Sequence, residues 1–379
     1  YAPLGVDEFF LRWSRNMIFC ENCFQDAEVI SIIRRQNFKG KCPICGKNNV
    51  YLYDTNNNYD LVSLFDDLIS IFTPVSLLPT EYPKSEIKLL KTELKENWHI
   101  FGDIGESNIY KILIGICSDR YENNPELFDY PIGIAELYRN EKFESNLLLK
   151  SNTWEEFTES LKTTNRFHSH YINLELLKKF CTFIRKPYKT GELFYRCRIG
   201  DSDGFDIYSM SAPDSSKTVN GRANSKGIRC LYLADDIETT IHETRAGEYD
   251  YVTIGTFRLK KNIIVVDLKR INRISPFIEG LDAKEYALNK ETLNKINFEL
   301  GKTLRRSDSD LDYLPTQYIS DFIKSIKHNN VNEYSGIEYN SVMYEKGYNL
   351  AIFDPELFEC INTEVYRIEN VTYHIHQIR

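Results

Sequence analysis

The spacing of apolar residues changes part-way along the chain. Between residues 58 and 185 they recur every three or four positions, which predicts helices. Residues 186–191 have the composition of a linker, and beyond them short runs rich in Val, Ile, Tyr and Phe predict strands separated by helices. We therefore predict an α+β chain with a mostly α-helical domain over 58–185 and a mixed α/β domain over 186–379.

Local signals set the expected limits of the helices in the first region. The first should stop before Pro74, because proline cannot continue a helix without breaking its hydrogen bonds. Thr153 and Glu156 have the spacing of a capping box, which predicts a helix start. A short amphipathic helix is also predicted over 7–19. The helices predicted between 58 and 185 cover 61–72, 85–98, 107–117, 153–163 and 171–184.

The second region predicts a domain of mixed secondary structure. Its strands are expected at 193–199, 229–233, 251–259, 263–268, 336–343, 350–353 and 363–378. Its helices are expected at 236–246, 288–305 and 316–327.

Four cysteines near the N-terminus predict a metal site. Two C-x₂-C pairs are separated by eighteen residues, the spacing at which two knuckles close a tetrahedral shell around zinc. The ligands would be Cys20, Cys23, Cys42 and Cys45. Because four protein ligands leave no open position, we expect a structural Zn²⁺ in a zinc-ribbon unit over 1–57.

Basic residues surround this predicted ribbon, namely Arg15, Arg34, Arg35, Lys39, Lys41 and Lys47. Two interpretations stay open at this point. The residues form a contact surface for nucleic acid or another partner, or they are the ordinary solvated face of a unit that folds around its metal.

Charge and cysteine usage narrow the class of protein. The formal net charge of −8 over 379 residues argues against a chain that binds nucleic acid through its overall charge. No apolar run reaches the ~18 residues of a membrane span, and the chain starts at Tyr1 without a secretory signal pattern, as a trimmed or processed protein does. Nine cysteines, an odd number, favour a reducing cytoplasm over a disulfide framework.

Polar residues follow the predicted strands of the C-terminal region. Arg196 and Arg222 are expected to hold a diphosphate, because guanidinium groups bind phosphate oxygens in a bidentate manner. Tyr232 offers a ring or a hydroxyl, and Ser341 can bind a phosphate or an amide. Glu243 is the carboxylate expected to face a developing oxocarbenium ion. Each of these residues alone is more often a surface or capping residue, so only their combination predicts a site.

This ordered set resembles the RES domain family over residues 193–354. The motifs that carry the resemblance are Phe-Tyr-Arg196, Gly-Arg222-Ala-Asn224 with Gly227, Tyr232-Leu-Ala, Thr-Ile-His-Glu243, Tyr-Leu-Pro-Thr-Gln317, Tyr-Asn-Ser341 and Asn349-Leu-Ala-Ile-Phe353. The family often has Gly-Gly-Arg and Ser-Ser where this chain has Asn220-Gly-Arg222 and Asn340-Ser341. The resemblance implies a fold similar to that of ADP-ribosyltransferase toxins.

The same resemblance implies an enzyme that degrades NAD⁺, by hydrolysis or phosphorolysis of its nicotinamide–ribose bond. The implied catalytic residues are Glu243, Arg196 and Ser341, and the implied NAD⁺-binding residues are Arg196, Arg222, Tyr232, Asn224 and Ser341. The N-terminal extension is similar to that of longer RES proteins with suspected roles in antiphage defence. Implied partners are a neutralising antitoxin or an activating factor from phage or cell, and a homo-oligomer is expected.

Two other functions stay open. The same pocket would serve an ADP-ribosyltransferase that modifies a macromolecule, with the zinc unit selecting the target. Alternatively, the chain is a nucleic-acid-binding module whose C-terminal domain is inert, against which the acidic net charge argues.

One polar cluster, Arg166-Phe-His168-Ser-His170, lies outside the resemblance. Arg and His can serve in an RNase site, but HEPN-like nucleases separate the two by four to six residues. Here three residues separate Arg166 from His170. A polar junction between helices is therefore the favoured interpretation.

Overall fold

The computed structural model describes residues 17–138, 144–302 and 309–372. The chain divides into two compact units, Tyr1–Asn146 with Arg273–Asn289, and Leu147–Asn272 with Lys290–Arg379.

The predicted helix over 7–19 lies outside the described residues except at its end, which begins a strand. The predicted domain boundaries after residues 57 and 185 stay predictions. In the part of the chain that the structure describes, no helix is long and apolar enough to cross a membrane.

The first unit begins with a small ribbon whose three strands pair in the order β1-β3-β2, all antiparallel. Asp26 caps the helix of the ribbon by accepting hydrogen bonds from the backbone N–H groups of Glu28 and Val29. Its elements are β1 (Ile18–Cys20), α1 (Ala27–Arg35), β2 (Lys39–Gly40) and β3 (Val50–Asp54).

The remainder of the first unit is mostly helical. Its helices are α2 (Asp60–Ile69), α3 (Leu90–Glu96), α4 (Glu106–Ile116), α5 (Ser118–Asn123) and α6 (Glu126–Asp129). The prediction that α2 ends before Pro74 is confirmed. The apolar face of α2 is buried, and the ring of Phe65 lies 4.9 Å from that of Phe277.

A three-stranded sheet in this unit was not predicted. Its strands are β4 (Thr73–Pro74), β5 (Lys88–Leu89) and β6 (Pro131–Gly133), with β6 in the centre. The predicted helix over 85–98 is therefore wrong at its start, because residues 88 and 89 pair with β6 and the helix begins only at Leu90. Pairing with a distant segment overrides the local helical pattern here.

The second unit is built on a mixed sheet of eight described strands in the order β16-β10-β8-β9-β15-β14-β11-β7. Only β11 and β14 run parallel; the other neighbouring pairs are antiparallel. The strands are β7 (Arg185–Tyr188), β8 (Leu193–Gly200), β9 (Leu231–Ala234), β10 (Tyr251–Leu259), β11 (Ile263–Asp267), β14 (Gly336–Asn340), β15 (Tyr348–Ile352) and β16 (Phe358–Arg367). A separate hairpin joins β12 (Lys327–His328) to β13 (Val331–Asn332).

The helices of the second unit agree well with the sequence pattern. They are α7 (Trp154–Thr163), α8 (Leu174–Phe183), α9 (Ile237–Thr244), α10 (Ala283–Gly301, which also contributes to the first unit) and α11 (Leu314–Ser325). The capping box at Thr153 and Glu156 is present.

The predicted linker over 186–191 is wrong in its first half. Residues Arg185–Tyr188 form β7, the edge strand that pairs antiparallel with β11. The ring of Tyr188 is buried in the core on one face of the sheet, and burying it supplies the driving force that a free linker would lack.

Each face of the large sheet has its own apolar cluster. One face packs Phe194, Leu233 and Leu350 with their neighbours. The other packs Cys197 and Ile254 against residues that include Ile241 of α9. Strands β8 and β9 meet at a single pair, Tyr195 with Ala234, so the sheet is weakly joined there.

Candidate functional site

Two groups of polar residues are candidates for function, and the first is the cysteine cluster of the ribbon. The ligand atoms of Cys20, Cys23, Cys42 and Cys45 all lie within 4.8 Å of one another. Neighbouring Sγ atoms are 3.5 to 3.9 Å apart. Four sulfurs at about 2.3 Å from a tetrahedral zinc would be roughly 3.8 Å apart, so the cluster fits a zinc ribbon.

The backbone around the cluster directs one donor at sulfur. The N–H of Cys45 points at Cys42 Sγ at 3.5 Å, and Gly46 adopts a φ of +74° that a residue with a side chain rarely takes. Hydrogen bonds among the thiols lower the pKa of Cys42 and raise the pKa of Cys23. The remaining described cysteines are buried or half-buried singly and do not join the cluster.

The second group centres on Glu243 at the end of α9. Its Oε1 accepts hydrogen bonds from Ser341 Oγ at 2.6 Å, Asn349 Nδ2 at 2.8 Å and the N–H of Val342 at 3.3 Å. No described residue donates to its other oxygen, Oε2. Three donors on one oxygen fix the carboxylate and leave the second oxygen available for a ligand.

Local structure explains why α9 carries Glu243 to this place. Asp236 caps the start of the helix by accepting from the N–H of Thr239 at 2.6 Å. Thr240 accepts from the N–H of Cys197 on β8, which ties the helix to the sheet. Gly347 lies so close to α9 that an added Cβ would sit 1.9 Å from Thr239 Oγ1, so the loop between β14 and β15 approaches the helix only because it carries glycine here.

Ser341 and Asn349 reach Glu243 from that loop and the strand beyond it. Ser341 is the first residue after β14, and it is buried. Asn349 lies on β15 directly opposite Tyr339 of β14, so both side chains project from the same face of the sheet. Tyr232 on β9 projects from this face too, since it pairs with Ala351.

Tyr232 is held by the loop that precedes β9. Its hydroxyl donates to Asn224 Oδ1 at 2.6 Å and accepts from the N–H of Ala223 at 3.1 Å. Gly221 leaves the space for this contact, because a Cβ there would lie 2.5 Å from the hydroxyl. Burial raises the pKa of Tyr232 well above its usual value, so the ring is a neutral hydrogen-bonding group.

Gln317 of α11 fixes the same loop from the other side. Its Nε2 donates to the carbonyls of Gly221 at 2.8 Å and Asn224 at 2.9 Å, and its Oε1 accepts from Ser225 Oγ at 3.3 Å. The side chain of Gln317 is buried. Three polar groups of the loop are thereby satisfied by one amide, which makes the loop rigid.

Arg222 is directed at the end of a helix. Its Nη1 donates to the carbonyls of Glu299 and Leu300 at 3.2 and 2.9 Å, and its Nη2 donates to the carbonyl of Lys302. The first two are among the last carbonyls of α10 and the third lies just beyond its end, where a positive charge is favourable.

Arg196 also binds backbone carbonyls. Its Nη1 donates to Met210 and Ser211 at 3.2 and 2.9 Å, in the long connection from β8 to β9. Burial lowers the pKa of Arg196 to about 10, with the neighbouring charge of Arg198 acting in the same direction. Because Tyr195 pairs with Ala234 on the face of Tyr232, strand alternation directs Arg196 to the opposite face.

The domain that carries this arrangement matches a known family. A family model described as RES domain matches residues 193–375. The C-terminal part of this chain is a RES domain. The match covers strands β8 to β16 and leaves out the edge strand β7. It continues beyond the predicted end at residue 354 and includes β16. No curated protein and no solved structure matches the chain.

The RES domain implies a toxin-type function related to NAD⁺. Within it, the structure brings the predicted residues together in two sets. Glu243 and Ser341 are in contact, and Tyr232 is in contact with Asn224. Burial is the largest cause of the raised pKa of Tyr339, and the charges of Arg222 and Glu243 are both near enough to its hydroxyl to act on it. Arg196 and Arg222 are not brought together as a pair.

Three residues of the RES domain were missed as site residues. In the sequence, Asn349 and Gln317 are parts of the motifs that carry the resemblance and Tyr339 is the start of Tyr-Asn-Ser, but none of the three is predicted as a site residue. Alternation along β14 and β15 would have placed Tyr339 and Asn349 beside Ser341 if the pairing of these strands had been known. Gln317 has no such signal, because its partners are backbone carbonyls almost a hundred positions away.

Proposed function

We propose that this RES domain cleaves NAD⁺ at the bond between nicotinamide and ribose. The observation that carries the proposal is the convergence of Ser341, Asn349 and the Val342 N–H on one oxygen of Glu243. Such a carboxylate is held in place before the substrate arrives, so no energy of reorganisation is needed when charge develops.

Glu243 would act through its Oε2. This oxygen would accept a hydrogen bond from a hydroxyl of the nicotinamide ribose and oppose the positive charge of an oxocarbenium-like transition state. Ser341 and Asn349 would be positioning residues, since both act on the substrate through Glu243.

The reaction is balanced without a redox partner. The bond between ribose C1′ and the nicotinamide nitrogen breaks, and its electron pair leaves with nicotinamide, which becomes neutral. An oxygen of water or phosphate then bonds to C1′ and releases a proton to the solvent. The products would be ADP-ribose with water, or ADP-ribose 1″-phosphate with phosphate.

We propose a structural role for Arg196 and Arg222, in place of the predicted diphosphate clamp. Both guanidinium groups donate to backbone carbonyls, Arg196 to the β8–β9 connection and Arg222 to the end of α10. We propose that Arg222 shapes a wall of the NAD⁺ site, with Tyr232 between it and Glu243, and that Arg196, on the opposite face of the sheet, supports the β8–β9 connection. A diphosphate clamp would require both guanidinium groups to exchange carbonyl oxygens for phosphate oxygens, and Arg196 would also have to reach the other face.

The cysteine cluster would hold one structural Zn²⁺ in the ribbon. Sulfur is the donor that zinc prefers in closed structural sites, and the four sulfurs have the spacing that a tetrahedral ion needs. Cys20, Cys23, Cys42 and Cys45 would all be ligands. When bound, the ion would stabilise the ribbon, and no step of NAD⁺ cleavage would pass through it.

The test is to incubate the purified protein with NAD⁺, with and without phosphate, and to identify the products by mass. The proposal predicts free nicotinamide when phosphate is present, and also in its absence if water is the nucleophile. ADP-ribose alone would indicate hydrolysis, a phosphate adduct would indicate phosphorolysis, and ADP-ribose attached to added protein would indicate transfer. Unchanged NAD⁺ in every condition would contradict the proposal. Consumption of NAD⁺ would also make the protein toxic to an expressing cell unless a partner neutralises it.

A further inference from the structure

A cavity of about 570 Å³ lies in the second unit, on the far side of the loop that holds Tyr232. One wall comes from the segment between α7 and α8, another from residues 220–226, and the floor from α11. The wall between α7 and α8 contains Arg166 and Phe167, the start of the polar cluster that the RES resemblance leaves unexplained. These residues lie outside the family match.

Aromatic and aliphatic side chains line much of this cavity. Tyr318 and Phe322 project from α11, and Leu161 and Leu314 lie beside them. Phe167 lies at the cavity with 83% of its surface exposed, an uncommon placement for a phenylalanine ring. Flat apolar surfaces with a free ring are suited to stacking a planar aromatic ligand.

Two cations face the same space. For the side chains of Arg166 and Lys226, no acceptor is found among the described residues, although the chain as a whole carries a net charge of −8. Two carboxylates also line the cavity. Asp310 accepts from Asn220 Nδ2 at 3.1 Å, and Asp321 is close enough to Lys324 for that charge to lower its pKa against the larger effect of burial. The lining therefore carries two cations and two carboxylates, and Arg166 and Lys226 supply its positive charge.

The cavity is linked to the catalytic side of the domain by Gln317. This residue lines the cavity and also binds the carbonyls of Gly221 and Asn224, and Asn224 in turn accepts from Tyr232. Ser225, a second residue of the cavity wall, donates to Gln317. A ligand seated here would contact the same loop that positions Tyr232.

We propose that this cavity binds a purine nucleotide, with the ring against Phe167 and Tyr318 and a phosphate at Arg166 and Lys226. A planar ring with a nearby dianion is the ligand class that matches a free aromatic wall beside two unpaired cations. The nucleotide has two possible sources, the adenylate end of the NAD⁺ substrate or a free nucleotide that regulates the loop. The first source rests on the proposed function, and the second does not.

The test uses AMP as the probe and isothermal titration of the full chain. Wild-type protein is expected to bind AMP, and Arg166→Ala with Lys226→Ala together should weaken binding by about tenfold or more, as the loss of charge-assisted hydrogen bonds predicts. Phe167→Ala should weaken it as well. Lys261→Ala with Tyr249→Ala removes an exposed cation and an exposed ring elsewhere and should leave AMP affinity unchanged. Absence of AMP binding by the wild type, or equal affinity in the Arg166/Lys226 variant, would overturn the proposal.

Kinetics distinguish the two sources. If the cavity holds the adenylate end of the substrate, the Arg166/Lys226 variant raises KM for NAD⁺ and leaves KM for nicotinamide mononucleotide, which lacks adenylate, unchanged. If it holds a free nucleotide, AMP still binds in saturating NAD⁺ and KM for NAD⁺ does not move. The titration needs no turnover and can be repeated in Glu243→Gln. AMP binding without any NAD⁺ cleavage would therefore reject the proposed function and keep the nucleotide site.

Discussion

At the scale of single residues, the position of Glu243 depends on donors that carry no charge themselves. Asn349→Asp keeps the shape of the side chain but replaces a donor 2.8 Å from Glu243 Oε1 with a second carboxylate. We expect NAD⁺ turnover to fall about 10- to 100-fold, because repulsion moves the carboxylate out of its productive position. Affinity for NAD⁺ should change much less, as expected when the lost interaction is made in the transition state.

The matched control for this change is Asn340→Asp. Asn340 is an exposed neighbour of Ser341 at the end of β14. Among the described contacts, its side chain makes no hydrogen bond to Glu243. Turnover should stay near that of the wild type. Steady-state kinetics and thermal unfolding of both variants separate a catalytic loss from a folding loss. Equal turnover in Asn349→Asp and wild type would show that Asn349 does not position Glu243.

Asp267 offers a prediction about pH. It is buried on β11, its Oδ1 has no hydrogen-bond partner among the described residues, and burial raises its pKa, with the charge of Glu338 acting in the same direction. A carboxyl whose pKa is raised on folding favours the folded state below its unfolded pKa and loses that advantage as pH rises through its folded pKa. Asp267→Asn removes this titration.

The stability of Asp267→Asn relative to the wild type should therefore increase as pH rises from about 4 to 7. Urea unfolding of the two proteins at several pH values measures this difference. A difference in unfolding free energy that stays constant across this range, or that shrinks, would show that Asp267 keeps an ordinary pKa in the folded protein.

At the scale of elements, Arg222 belongs to the end of a helix as much as to a binding site. Its guanidinium donates to two of the last carbonyls of α10 and to the carbonyl of Lys302 just beyond the helix, and lysine has a single charged nitrogen that cannot reproduce this fork. Arg222→Lys is therefore expected to be nearly as damaging as Arg222→Ala, in both thermal stability and NAD⁺ affinity. Full retention of both properties in the lysine variant would show that the fork is unimportant.

The sequence predicted elements well where the signal is local. The strand over 251–259 and the helix after Thr153 follow from alternation and from a capping box, and both form as predicted. The sequence-based prediction was wrong where pairing with a distant segment determines the secondary structure. Residues 88 and 89 and the start of the predicted linker become strands because β6 and β11 pair with them.

The residues of the candidate site also divide into those that the sequence identifies and those whose position only the fold determines. Glu243, Ser341, Tyr232 and Asn224 could be chosen by motif and chemistry, and the structure places them in two contacting pairs. The orientation of Arg196 and Arg222 could not be predicted, since it depends on backbone carbonyls that become available only after the chain has folded. Gln317 could not be predicted for the same reason, because it too binds backbone carbonyls.

At the scale of the whole molecule, the ribbon should depend on its metal. We expect one zinc per chain by elemental analysis of protein purified without chelator, because a closed thiolate site gains most of its folding energy from the ion. Cys42→Ser should lose the zinc and unfold the ribbon. Cys360→Ser is a control, since Cys360 lies outside the cluster. Protein with well under one zinc per chain, or a folded ribbon in Cys42→Ser, would contradict the zinc site.

The central claim is that Glu243 stabilises charge that exists only while the nicotinamide–ribose bond breaks. The most direct measurement is the rate of nicotinamide release from NAD⁺ by the wild type and by Glu243→Gln, with NAD⁺ affinity measured in parallel. The variant keeps the shape of the side chain and removes its charge, so turnover should fall about 100-fold or more while affinity changes little. Near-normal turnover in Glu243→Gln would contradict the mechanism, even though the RES domain assignment would stand.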